Sequence, residues 1–156
     1  MSKLHEAIAA WKESPPYEGV RGAELEDIEK IDTETQAKME IILEAMEWPQ
    51  LIIFRYGDSD RVAAPFVLGV SSEGNPLMRA YQLEGISRSG KGEGWRVFQI
   101  RKMEKVENHQ DFVNAEDFDF NQLYPWTYKV IGMLKGIEIN LSERQTKRYE
   151  QMMAVK

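Results

Sequence analysis

The chain has 156 residues, 42% of them hydrophobic and 29% charged, with a formal net charge of -6 and no cysteine. That length suits about one domain with a core of its own, and the balance of apolar and charged residues excludes a disordered or fibrous chain. The missing cysteines exclude disulfides, thiolate metal sites and cysteine nucleophiles, and no apolar run has the length needed to span a bilayer, so the expectation is a cytoplasmic protein with no membrane partner.

In chain order, "LHEAIAAW" carries apolar residues at helical spacing and stops before the loop "SPPYEG". A longer helix is expected over residues 33 to 47, with Asp32 or Thr33 as its cap, Pro49 closing it, and Met39, Ile42, Leu43 and Met46 as the stripe that meets the core. From Leu51 the period changes to that of strands: "LIIFRYG", "RVAAPFVLGVS", "NPLMRAYQLEG", "GWRVFQI" and "KMEKVEN", separated by turn compositions. Five short strands with small connections predict a mainly antiparallel five-stranded barrel over residues 51 to 106. Beyond it "FVNAEDFDFNQLYPW" is irregular and "TYKVIGMLKGIEI" fits strand or helix. In "LSERQTKRYEQMMAV", Ser142 and Gln145 stand at capping-box spacing, which predicts a final helix. The class is therefore α+β, divided into an acidic helical stretch 1–48, a barrel 49–108 and an extension 109–156.

Charge follows the same division. Residues 1–48 carry 5 basic against 12 acidic side chains, residues 49–108 carry 9 against 7, and residues 109–156 carry 6 against 7. The strand segment alone is net positive, so an anionic ligand is expected there.

The run "IFRYGDSDRVAAPFVLGVSSEGNPLMRAYQLEGISRSGKGEGWRVFQIRKMEKV" resembles the WYL domain family, in particular its compact single-domain members. The resemblance lies in an apolar strand ending at Tyr56, Arg61 four residues before Pro65, Gly69 and Gly74 around a turn, "AYQ" at Ala80 to Gln82, and "GWRVFQI" before a closing strand. The namesake triplet is replaced by Pro76, Leu77 and Met78. Phe66 stands where the family has a histidine, and Gln99 where it has an arginine; Lys102 keeps a basic residue at the second basic position of that strand. The resemblance implies an Sm-like barrel that senses nucleotide or nucleic-acid ligands without catalysis, as in bacterial regulators and near phage-defence genes. It also implies that basic residues at the Arg61 and Lys102 positions line the ligand surface. The family's winged helix-turn-helix needs roughly 60 residues, and the 48 that precede this barrel are mostly acidic, so promoter binding is not expected.

The arginines themselves pose a question. Arg55 shares strand parity with Leu51 and Ile53, Arg79 with Leu77, Tyr81 and Leu83, and Arg96 with Phe98 and Ile100. A guanidinium on an apolar face needs a carboxylate, or an opening where water or an anion satisfies it. Either each arginine pairs with Asp58, Asp60, Glu84 or Glu104, or several converge at one barrel mouth. The candidate ligand set is Arg61, Arg79, Arg96 and Lys102, with Tyr81 offering a ring on which a base stacks. Ser87 and Ser89 of "SRSGKGEG" are possible loop contacts to a phosphate.

Catalysis finds little footing. His5 and His109 are far apart and both lie outside the strand segment, and the acidic turns "DSD" and "EDFDF" fit solvated loops better than metal sites. No cofactor is expected. The competing expectation is a protein-interaction adaptor without a small ligand, whose terminal helices meet a partner or a second copy. The apolar residues Tyr149, Met152 and Met153 favour self-association.

Overall fold

The computed structural model describes residues 2–13, 21–85, 92–118 and 128–135. Three helices come first: α1 (Lys3–Glu13), α2 (Leu25–Glu29) and α3 (Thr33–Glu47). Asp32 caps α3, its carboxylate accepting from the Thr35 amide at 3.0 Å. Glu40 of α3 performs the same service for α1, accepting from the amides of Lys3 at 2.9 Å and Leu4 at 3.2 Å. One helix thus ties down the start of the other.

Six strands follow: β1 (Gln50–Tyr56), β2 (Ser59–Ser71), β3 (Pro76–Glu84), β4 (Gly94–Gln99), β5 (Met103–Phe112) and β6 (Tyr128–Met133). They form one antiparallel sheet in the order β4-β3-β2-β1-β5, with β6 paired to β2. The expected strands are present at their expected places, and Tyr128–Met133, where strand and helix were both open, is strand.

The sheet has six strands rather than five, and it is open: among the described residues no ladder joins β4 to β5. Those two strands are nonetheless consecutive, linked through a 3₁₀ turn at Ile100–Lys102. The extra strand fits because β2 is long enough to change partners. Its first part pairs with β1 through Ala63, and its second part pairs with β6 from Val67 onward. Pro65, which has no amide proton to give, falls in the gap between the two ladders, and the register shifts at Phe66 beside it.

Met39, Ile42, Leu43 and Met46 of α3 are all buried, as their spacing requires, against Ile52, Phe54, Met78, Ala80, Phe98, Ile100 and Met103. This is the inner face of the sheet. A second cluster, with Trp11, Phe66, Val67 and Val130 buried and Tyr81, Trp95 and Phe118 half-buried, occupies the outer face. Residues 21–23, ahead of α2, are bonded to β6: the Ala23 amide donates to the Val130 carbonyl and the Val130 amide to the Arg21 carbonyl, while Lys129 pairs with Asp27 of α2 at 3.1 Å. The final helix expected from Ser142, and with it the Tyr149, Met152 and Met153 face, lies outside the described residues, as do Ser87 and Ser89.

Candidate ligand site on the inner face

Phe54 of β1 stands opposite Arg61 of β2, so Arg61 projects onto the inner face beside the core. The residue is only 9% exposed. Its Nε donates to Ser59 Oγ at 3.2 Å, Nη1 to Gln82 Oε1 at 3.2 Å, and Nη2 to the Tyr56 carbonyl at 3.3 Å. Its guanidinium carbon lies 5.2 Å from the centre of the Tyr56 ring and 5.7 Å from that of Phe98, within cation–π range of both. None of these partners is a carboxylate. Three of the five guanidinium N–H groups are engaged, which leaves two donors and a full positive charge without a counterion among the described residues.

Burial sets the electrostatics. Desolvation pulls the Arg61 pKa below an arginine's ordinary value, with Tyr56 opposing that shift and the charge of Arg96 adding to it. Arginine starts high enough that the group stays cationic at neutral pH. An anion arriving here would meet a charge that water no longer screens well.

Gln82, 0% exposed, is the second buried polar group of this face. Its Oε1 accepts from Arg61, and its Nε2 donates to the Gly92 carbonyl, so the amide bridges β2 to the backbone two residues ahead of β4. Opposite it across the β3–β4 ladder is Gly94, and Arg96 stands opposite Ala80 one pair further along the same face. Arg96 folds back along its own strand. Its Nη1 donates to the Trp95 carbonyl at 2.9 Å and lies 3.1 Å from where a Cβ on Gly94 would be. Gly85 has φ +133°, and a Cβ there would come within 2.9 Å of Arg61 Cγ. Two glycines thus make room for the two arginine side chains, and Arg96 is close enough for its charge to act on Arg61.

The other expected site residues are elsewhere. Arg79 stands opposite Val97, which places it on the outer face, where its guanidinium carbon lies 5.4 Å from the Trp95 ring centre. Tyr81 shares that face with Arg79 but packs on Trp95 at 5.3 Å and on Phe118 at 5.0 Å as part of the outer aromatic cluster. Lys102 is exposed in the 3₁₀ turn. Arg55 pairs with Asp60 at 3.5 Å in the surface manner. Only Arg61 and Arg96 of the set come together, and Tyr56 and Gln82 join them in place of Arg79 and Tyr81.

No protein-family model, curated protein or solved structure matches the chain.

Proposed function

We propose that this chain is a non-catalytic, regulatory ligand-binding module of the WYL kind, which takes a nucleotide or a short single strand by its phosphate at Arg61 and Arg96. The observation that carries the reading is Arg61: a guanidinium nine-tenths buried, held in place by neutral partners, with two donors unspent and no carboxylate on it among the described residues. A residue used only for structure would gain most from a buried acid, whereas a residue kept for an anion must be positioned without one. The rings of Tyr56 and Phe98 hold the cation, which leaves base stacking to a neighbouring surface rather than to Tyr81. The finer description attached to the sheet is Sm-like. Its outermost strands are joined by three residues, and the Gln99 amide of β4 donates to the Tyr56 hydroxyl of β1 at 3.3 Å, which supports a sheet curled back toward itself.

Nucleoside monophosphates titrated into the native protein and into Arg96→Ala test the reading. Expected are a loss of about tenfold to a hundredfold in affinity in the variant, the scale of one charge-assisted hydrogen bond, and a fall in affinity as salt rises. Equal affinities for the two proteins, or salt-independent binding, would refute it.

One observation favours the adaptor reading. Trp48 is 59% exposed and Phe112 75% exposed, and they lie near one another because Gln50 pairs with Phe112. Trp48→Ser with Phe112→Ser would abolish partner capture on that reading and leave nucleotide binding intact on ours.

A further inference from the structure

At the end of β1 away from Arg61 the chain leaves two aromatic side chains in water. Trp48 and Phe112 are both more than half exposed, and neither belongs to the inner or the outer core cluster, whereas Val113, next in the chain to Phe112, is buried in the outer one. The backbone fixes the pair. The Val113 amide donates to the Pro49 carbonyl at 2.6 Å, and each aromatic is the residue just before one partner of that bond. Trp48 caps the end of α3 and Phe112 ends β5, so both stand on hydrogen-bonded elements rather than on a loop tip. Side chains this exposed add little to a folded core, while aromatic residues are enriched where one protein meets another, and tryptophan above all where truncation weakens binding most.

The charge around the pair selects the partner. Residues 39–54 and 106–118, the two segments that carry it, hold seven acidic side chains and no lysine or arginine. Some of that charge is answered within the chain: Glu40 accepts from the first amides of α1, Glu47 meets Lys3 at 2.9 Å, and Asp111 lies 3.5 Å from His109. The last turn of α3 holds Glu44 and Glu47 and no base, so the negative end of the helix dipole adds to them beside Trp48. Such a surface repels the phosphates of a nucleic acid or an anionic membrane, and a second copy docked about a two-fold axis would bring the same acids to it. A guanidinium suits it, because it lies over an aromatic ring and pairs with a carboxylate at its edge. We propose that Trp48 and Phe112 are the docking surface for a second protein, which presents a segment carrying arginine and an apolar side chain. The surface is independent of nucleotide binding. Phe112 pairs with Gln50 at the start of β1, and the Tyr56 carbonyl that Arg61 meets is at its end, about 20 Å away at about 3.3 Å per residue. Ligand and partner can therefore be held at once.

The test uses the full chain and three fluorescein-labelled dodecapeptides: Arg-Leu-Ser repeated, Glu-Leu-Ser repeated, which reverses the charge, and Arg-Gly-Ser repeated, which removes the apolar side chain. Anisotropy titrations are expected to give at least tenfold tighter binding of the first peptide than of either other. Trp48→Ser with Phe112→Ser should weaken that binding at least tenfold, and Glu44→Gln with Asp111→Asn several-fold, both with melting temperatures unchanged. Light scattering should give the same mass for the native protein and the aromatic variant. Equal binding by native protein and aromatic variant overturns the proposal, since general acidity would then be holding the peptide. No binding of the first peptide, or a preference for the glutamate peptide, overturns it as well. A marked fall in melting temperature in the aromatic variant would make the two rings part of the fold and overturn it too. If the native protein has a larger mass that the aromatic variant loses, the occupant is a second copy. If a single-stranded dodecanucleotide displaces the peptide from the native protein and binds the aromatic variant at least tenfold more weakly, the occupant is nucleic acid. Either result replaces the proposed partner and overturns the proposal.

Discussion

The placement of Arg61 rests on its hydrogen bond to Gln82, and a double-mutant cycle measures that bond. Gln82→Leu keeps the volume roughly and removes both amide functions. It takes the acceptor from Arg61 Nη1 and the donor from the Gly92 carbonyl. At about 1 to 3 kcal/mol for each stranded group, the single variant should lose about 3 kcal/mol. Arg61→Leu strands Gln82 Oε1 and the Tyr56 carbonyl but also removes a desolvated charge, so about 2 kcal/mol is expected. The double variant has neither the buried donor nor its acceptor. Its loss should fall short of the sum by about 2 kcal/mol, the scale of a hydrogen bond to a charged group. Urea unfolding followed by circular dichroism on the four proteins gives the coupling directly. Losses that add within about 0.5 kcal/mol would show that the amide does not hold the guanidinium, and the count of unspent donors would fail with it.

Three further outcomes are expected. For Asp27, burial raises the carboxyl pKa, but the Glu24 amide at 2.8 Å and the Lys129 ammonium outweigh it and bring the group below its ordinary 3.8; the stability this contributes is full above pH 3.8 and lost as pH falls through the lower folded value. Asp27→Asn should therefore cost about 1 to 3 kcal/mol at pH 7, and the gap between the two proteins should close in unfolding curves taken below pH 4. Lys105 has φ +51° where β5 carries one residue more than β1, so Lys105→Gly should stabilise by about 0.5 to 1 kcal/mol in the same urea assay. Gly85→Ala should destabilise by about 1 to 3 kcal/mol, since a Cβ at φ +133° meets the Arg61 stem, and its nucleotide affinity should fall beyond that of a surface control.

Strand parity told which residues share a face within one strand, and that much of the sequence reading carries over: Arg96 does lie with Phe98 and Ile100, and Arg79 with Tyr81. Parity says nothing about how one strand's faces match its neighbour's. That is decided by register, and here Ala80, not Arg79, stands opposite Arg96. One residue of offset sends two of the expected ligands to the far side of the sheet. Gln82 was legible by the same test as the arginines, since it continues the Met78 and Ala80 series as a lone polar residue, but an amide draws less notice than a charge. The helix α2 left little trace, because its five residues are one turn with a single buried side chain, Ile28. The sixth strand was ambiguous because its partner on β2 becomes available only where β1 ends, a condition that no local pattern of residues 128 to 133 can encode.

The change of partner along β2 has a consequence for synthesis. Residues Val67 to Ser71 wait for β6, whose last residue, Met133, emerges 62 residues after Ser71. At about 5 to 20 residues per second that interval is about 3 to 12 seconds, much longer than a hairpin takes to form. For that time a run of valine, leucine and glycine offers its unpaired amides and carbonyls to any other extended chain on the same message. A nascent chain of this protein is thus most prone to misassociate while half-made, and slower translation between β2 and β6 should lower its soluble yield more than the same delay placed before β1.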